Sequence, residues 1–179
     1  MLTIKVPGVE FFDETNQVFV HSEPTTLHLE HSLVSLSKWE AIFRKSFLSS
    51  EKKTSEETYV YIKSMCLDDE VPDDVWSRLS QENVAEINAY IEDPMTATTF
   101  REIPGRPSRE VITNEIIRHW MIGFKIPLEY ENRHLNQLFT LIKVINEKNK
   151  PTKKMSAAEV AARNRELNEQ RQRQYGTSG

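Results

Sequence analysis

The stretch LHLEHSLVSLSKWE, residues 27–40, contains the point where this sequence changes from a strand pattern to a helix pattern. Leu27 and Leu29 alternate with polar residues, and a period of two is typical of a strand with one buried face. Further along the stretch the apolar residues take helical spacing, and Ser37 with Glu40 fits a capping box at a helix start. The sequence therefore predicts β-structure before this stretch and helices after it.

The N-terminal segment, residues 1–31, predicts several short strands. Apolar and polar residues alternate over residues 2–6, and short apolar runs follow at residues 9–12 and 18–20 on either side of a polar loop. A sheet this small has little core of its own. We therefore expect it to pack on helices or on another subunit.

The middle of the chain, residues 32–148, carries a series of helix patterns with short connections, which is typical of antiparallel helix packing. Thr54 and Ser80 stand where helix N-caps are expected. A strongly apolar helix is predicted from Arg109, and a wide apolar stripe predicts a central core helix from about Asn132. These patterns predict a multi-helix core.

Taken together, the patterns predict a mainly α protein with a small N-terminal β-layer, that is, an α+β fold with a multi-helix core and a C-terminal extension helix. We divide the chain into a β-rich segment (1–31), a helical core domain (32–148), and a basic linker with a C-terminal helix (149–179). Trp120 and Phe139 lie in the densest apolar runs of their helices, so we expect both to be largely buried.

Charge is distributed unevenly along the 179 residues. Residues 1–147 hold 15 Lys and Arg against 24 Asp and Glu, a balance of −9, whereas residues 148–179 hold 8 against 3, a balance of +5. The basic tail can fold on its own body, bind another copy, bind a separate acidic partner, or stay a solvated helix. The acidic body and the lack of aromatics between the tail arginines argue against nucleic acid as the partner.

Residue types with reactive or metal-binding side chains are scattered. Cys66 is the single cysteine, which excludes an internal disulfide and a multi-cysteine zinc site. His28 and His31 point to opposite faces of an extended stretch, so they do not bind one metal without a bend. His119 and His134 are expected to be half-buried packing residues on neighbouring helices.

Five carboxylates lie within residues 68–74. They lack the glycine and the spacing of a calcium loop, and we interpret them as charges that favour the start of a short helix at Pro72. The sequence therefore predicts no catalytic, cofactor-binding or metal-binding residue and no enzyme activity. No apolar run approaches 18 residues, so we expect no transmembrane helix and no membrane partner.

Several segments carry more specific motifs. They are residues 29–40, 54–58, 65–67, 95–100, 117–121, 134–144 and 161–168. Together they resemble the tail assembly chaperones that are encoded in the tail region of long-tailed bacteriophages. The resemblance covers the chain from about residue 27 to its C-terminus.

This resemblance implies a non-enzymatic assembly factor. Such chaperones coat the tape-measure protein, a long helical and aggregation-prone chain, before tail-tube subunits polymerise around it. The resemblance also implies self-association, residence in the host cell cytoplasm and absence from the finished virion. The alternative is a structural tail or head–tail component that stays in the virion, with its β-rich N-terminus adding a strand to a neighbour's sheet.

The C-terminal helix is the predicted contact element. Ser156 with Glu159 fits a third capping box, and the helix that follows has an apolar face too thin to anchor it to a core. We expect residues 149–179 to serve as an intermolecular arm. The predicted partner-binding residues are Val160, Arg163, Leu167 and Arg171.

Overall fold

The computed structural model of the chain describes residues 1–13, 17–100, 111–150 and 157–176. Within these ranges it has four short strands, β1 (Leu2–Val6), β2 (Glu10–Asp13), β3 (Val18–His21) and β4 (Thr25–Leu29). The α-helices are α1 (Leu33–Phe43), α2 (Ser55–Ser64), α3 (Asp73–Ser77), α4 (Gln81–Glu92), α5 (Asn114–Gly123), α6 (Leu135–Asn149) and α7 (Ala157–Tyr175), with a 3₁₀ helix at Leu128–Asn132. The chain is therefore mainly α with a small β-layer, and the predicted fold class is confirmed.

The chain forms two compact units, Met1–Ile145 and Asn146–Gly179. The whole β-layer belongs to the first unit, together with α1 to α5 and most of α6. The second unit contains α7.

The β-layer consists of two antiparallel pairs. β1 pairs with β4 in a register that places Leu2 opposite Leu29 and Val6 opposite Thr25. β2 pairs with β3 as a separate hairpin. The inward side chains of the first pair, Ile4, Val6, Leu27 and Leu29, are buried among helices, as period-two alternation predicts.

Two buried apolar clusters fill the first unit. The first joins the β1–β4 pair to Trp39, Tyr61, Ile62, Met65, Val75, Trp76 and Ile87. The second consists of Leu33, Leu36, Ile117, Met121, Ile126, Leu135, Leu138 and Ile142. Helix α1 contributes to both clusters, because Trp39 lies on its first-cluster side and Leu33 and Leu36 on its second-cluster side.

The start of α1 differs from the prediction. Ser32, not Ser37, is the N-cap: its hydroxyl accepts from Ser35 N at 3.2 Å, and the Ser35 hydroxyl accepts from Ser32 N at 2.8 Å. The carboxylate of Glu40, expected at this cap, instead accepts from Phe47 N at 2.8 Å and from Asn114 N at 2.9 Å. The predicted cap was wrong, because Ser32 and Ser35 form the capping box and Glu40 binds the backbone of two residues outside α1 instead.

The predicted N-caps of the next two long helices are confirmed. The Thr54 hydroxyl accepts from Glu57 N at 3.2 Å at the start of α2, and the Glu57 carboxylate accepts from Thr54 N at 2.9 Å. The Ser80 hydroxyl accepts from Asn83 N at 3.1 Å at the start of α4. These caps depend on neighbours within three residues, which explains why sequence reading finds them.

Two later helices begin after the predicted positions. Helix α5 starts at Asn114, so Val111 precedes it and is exposed, while Arg109 lies outside the described residues. The Ile112 carbonyl accepts from the Ser46 hydroxyl at 2.6 Å, which fixes this backbone before the helix begins. Helix α6 starts at Leu135, whose N–H donates to the His31 carbonyl at 2.7 Å.

Trp120 and Phe139 both pack against the second cluster, but neither is among its fully buried residues. Ile117 and Met121 form the fully buried face of α5, and Leu138 does the same on α6, so the two aromatic rings lie beside these faces and cover the edge of the second cluster. Helical spacing predicts a wide apolar face on each helix, and the packing of the helices then determines which residues of that face are fully buried.

The second unit is described over Asn146–Lys150 and Ala157–Gly176. Helix α7 spans 19 residues and has no buried residue in its described part. The predicted cap Ser156 lies outside the described residues. The boundaries predicted at residues 31 and 148 stay predictions.

Candidate functional site

The predicted partner-binding residues share one face of α7. Val160, Arg163, Leu167 and Arg171 fall within about 80° of arc, because an α-helix advances about 100° per residue. Val160 is 42% exposed and Leu167 is 41% exposed. Arg163 and Arg171 are exposed and lie on the flanks of this apolar pair. The helix therefore presents two aliphatic side chains between two guanidinium groups.

The rest of α7 is strongly polar. Ala158 to Tyr175 are all exposed, and the helix carries Arg, Glu, Gln and Asn over most of its surface. Ala162 lies nearly opposite the Val160–Leu167 pair on the helix. A helix that exposes its one apolar pair can bury it by contacting another molecule.

Three of the five carboxylates of residues 68–74 have structural partners. Lys63 donates to the Asp73 carboxylate at 2.8 Å, and Arg78 lies 3.2 Å from the Asp74 carboxylate. The Asp68 carboxylate accepts from the backbone N–H of His28 at 2.7 Å and lies 2.8 Å from its Nδ1. The Asp68 contacts join the loop before α3 to β4, and the Lys63–Asp73 pair joins α2 to α3.

Cys66 continues the edge of the β1–β4 pair. Its backbone forms a bridge with Leu29, and its side chain is half-buried against the first cluster. Burial raises the pKa of the Cys66 thiol, so the protonated form is favoured. This geometry suits a packing side chain.

A pair of buried histidines joins β4, α2, α4 and α6. His31 Nδ1 lies 2.5 Å from the Tyr61 hydroxyl, and the rings of His31 and His134 meet edge to face with centroids 5.0 Å apart. Burial and, to a smaller extent, the nearby His134 together lower the pKa of His31 to about 3. Both rings are less than 5% exposed.

The hydrogen bonds of His134 fit a neutral ring. Its Nδ1 accepts from Asn136 N at 3.3 Å, and its Nε2 lies 3.0 Å from the Tyr90 carbonyl, to which it donates. Burial lowers the pKa of His134. The neighbouring Tyr90 hydroxyl donates to the Glu30 carboxylate at 2.7 Å, and burial raises the pKa of that phenol. His134 is thus more buried than predicted, while His119 is exposed.

A groove of about 390 Å³ opens between α2, α3 and α4. Its apolar lining comes from Tyr59, Ile62, Trp76, Leu79 and Val84. Tyr59 is 38% exposed at the rim, and Trp76 is 6% exposed in the lining.

Two lysines, Lys53 and Lys63, lie at the edge of this groove. Lys53 lines one end, and its Nζ lies 4.8 Å from the Phe47 ring centroid. The Nζ of Lys63 lies 5.0 Å from the Tyr59 ring centroid and 5.8 Å from that of Trp76. Among the described residues that line the groove, Lys53 is the one charged side chain.

In the described ranges no group of three or more His, Cys, Asp or Glu side chains is placed to hold a metal ion. Over the same ranges no helix combines the length and the apolar character needed to cross a membrane. A scan of protein-family models and searches of curated proteins and of solved structures found no match to this chain.

Sequence reading missed the groove and the histidine pair. The spacing in α2 marks Tyr59 and Ile62 as one apolar face, and Val84 is likewise on the apolar face of α4. Local spacing therefore predicts each of them as a core residue of its own helix. The groove forms because the apolar faces of α2, α3 and α4 leave a gap between them. That gap depends on how the helices pack, so the local sequence pattern does not reveal it.

Proposed function

We propose that this protein is a phage tail assembly chaperone, a non-enzymatic factor that binds the tape-measure protein during tail morphogenesis in the host cytoplasm. The observation that carries the proposal is the exposed apolar pair of α7, Val160 and Leu167, on a helix without buried residues in its described part. A long helical client offers the complementary surface for a helix of this kind. The sequence resemblance to such chaperones supports the same assignment.

The contact combines apolar and ionic contributions. Val160 and Leu167 bury their side chains against the client, and Arg163 and Arg171 pair with carboxylates beside them. Two aliphatic anchors give a modest, reversible contact, which suits a factor that leaves before the tail tube closes. The acidic body offers a second place for the basic tail (residues 148–179), so the proposal includes self-association through another copy.

Co-expression with the tape-measure protein of the same phage tests the proposal. We expect the tape-measure protein to become soluble and to co-purify with the chain. Replacing Leu167→Asp should reduce the recovered tape-measure protein by roughly tenfold, because one buried aliphatic anchor is worth about 1.5–3 kcal/mol.

Ala162→Asp is the matched control, since it adds the same charge to the opposite face of α7. It should leave the recovery nearly unchanged. If both variants recover equally little tape-measure protein, the added charge alone causes the loss. If both recover as much as the original chain, α7 does not contact the client.

The alternative, a structural component retained in the virion, draws on one feature of the β-layer. The β2–β3 hairpin is a two-stranded sheet in the described part of the chain, so each strand has an edge on which a neighbour's strand can add. Mass spectrometry of purified virions separates the two functions. A chaperone is absent from the particle, whereas a structural component is present in stoichiometric amount.

A further inference from the structure

We infer that the groove between α2, α3 and α4 is a docking surface for an acidic amphipathic helix of a partner protein. This surface lies in the first unit, and the inference does not rest on the proposed function. It rests on the shape of the groove, on its aromatic lining and on the sign of the charge at its edge.

The shape suits side chains of a helix. The groove is bordered by α2 and α4, two helices of 10 and 12 residues, and its volume of about 390 Å³ accepts more than one apolar side chain. Side chains at i and i+3 or i+4 of an amphipathic helix enter such a groove together. Tyr59 and Trp76 supply the large aromatic surfaces that are enriched where binding energy is concentrated.

The charge at the groove decides which helix fits. The first 147 residues have a balance of −9, yet Lys53 is the one charged side chain among the described lining residues. Lys63 lies over the Tyr59 and Trp76 rings but is ion-paired at 2.8 Å with the exposed carboxylate of Asp73, so Lys53 is the group that sets the sign of the charge at the lining. A carboxylate that flanks an apolar anchor can meet the Lys53 ammonium at this end of the groove, whereas a lysine there would meet like charge.

A direct test uses two synthetic peptides and the full-length protein. The first is an 18-residue amphipathic helix with leucines at i, i+3, i+4 and i+7 and flanking glutamates. The second is the same peptide with every glutamate replaced by lysine. Fluorescence anisotropy of labelled peptide gives both dissociation constants at low salt.

We expect the acidic peptide to bind roughly tenfold more tightly than the basic one. The net charge of the body alone predicts the opposite order, which makes the result decisive. Tighter binding of the basic peptide, equal binding of both peptides, or binding of neither would overturn the inference.

Variants locate the contact in the groove. Tyr59→Ala should weaken binding of the acidic peptide roughly tenfold. Tyr130→Ala, which removes a tyrosine of nearly the same exposure (39% against 38%) outside the groove, should not. Lys53→Glu should weaken it as well, while Lys52→Glu, next to it in sequence, should have a small effect. Lys53→Gln replaces Lys53→Glu if thermal unfolding shows that the charge reversal damages the fold.

Two further outcomes bear on the identity of the occupant. Leu167→Asp in α7 should leave the peptide affinity unchanged, which separates this groove from the proposed client contact. If Tyr59→Ala instead abolishes a concentration-dependent dimer of the protein without peptide, the occupant is a second copy of the chain and the assignment to a partner helix is wrong.

Discussion

His31 and His134 are ionisable side chains held in their neutral form by their surroundings. The Asn136 N–H points at His134 Nδ1, so a proton on that nitrogen would replace an attraction with a repulsion. A second proton on the adjacent His31 ring would add like charge at a 5.0 Å ring separation. The Tyr61 and Tyr90 hydroxyls, Asp93 and the Glu30 carboxylate, which pairs with the N-terminal ammonium at 2.6 Å, lie near the pair.

The histidine pair predicts a loss of stability in mild acid. The folded pKa of His31 is lowered from 6.5 to about 3, so below pH 6.5 the unfolded chain binds a proton that the folded chain does not. The free energy of unfolding should fall as pH decreases from 6.5, by up to about 1.4 kcal/mol per pH unit for this group. Urea unfolding between pH 7.5 and 5 measures the slope above the range in which most carboxylates titrate.

His31→Gln should flatten this slope, because glutamine does not titrate. His119→Gln, at an exposed position, should leave it unchanged. A His31→Gln protein with the full pH dependence of the original would show that other groups cause it.

The N-terminal end of α1 shows how an element takes its bounds from the whole fold. Both Ser32 and Ser37 lie three residues before a side chain that can complete a capping box. Ser32 is the observed cap because it exchanges hydrogen bonds with Ser35, whereas Glu40 accepts from the backbone of Phe47 and of Asn114, a residue 74 positions away. A pattern confined to four residues contains no trace of that contact.

Alanine substitution at the two serines separates the alternatives. Ser32→Ala removes the cap of α1 and should lower the free energy of unfolding by about 1 kcal/mol. Ser37→Ala lies inside the helix, where alanine is the better helix former, and should change it by a few tenths of a kcal/mol at most. Chemical denaturation of both variants compares them, and an equal loss would contradict the observed cap.

Local signals predicted most elements of this chain, because most elements are specified locally. Period-two alternation identified β1 and β4, and the caps at Thr54 and Ser80 were found from side chains three residues apart. The face of α7 that carries Val160 and Leu167 also follows from spacing alone. The groove does not, since Tyr59, Trp76 and Val84 come together only when three helices pack.

At the scale of the whole molecule, the apolar core belongs to the first unit. Every buried hydrophobic residue in the described ranges lies at or before Ile142. The C-terminal unit consists of a polar helix and the basic segment before it. Its positive charge is opposite in sign to that of the body. The described apolar core therefore lies in the first unit, whereas the contact that we propose for α7 lies in the second.

Removing residues 152–179 tests this division. The melting temperature of the body should stay within a few degrees of the full chain, because no described buried apolar side chain is lost. Self-association or client binding should weaken, and raising salt should weaken it in the full chain, since exposed charges are screened within about 10 Å at 0.1 M. Differential scanning calorimetry and sedimentation measure the two effects. Unfolding of the truncated body would place the tail in the core.

Helix α1 packs into both apolar clusters, with Trp39 in one and Leu33 and Leu36 in the other. Because this helix is shared, we expect the loss of either cluster to destabilise the other, so that the two clusters unfold as one cooperative unit. Amide hydrogen exchange in β4 and in α6 should therefore report the same opening event. Substitutions in either cluster should speed exchange in both.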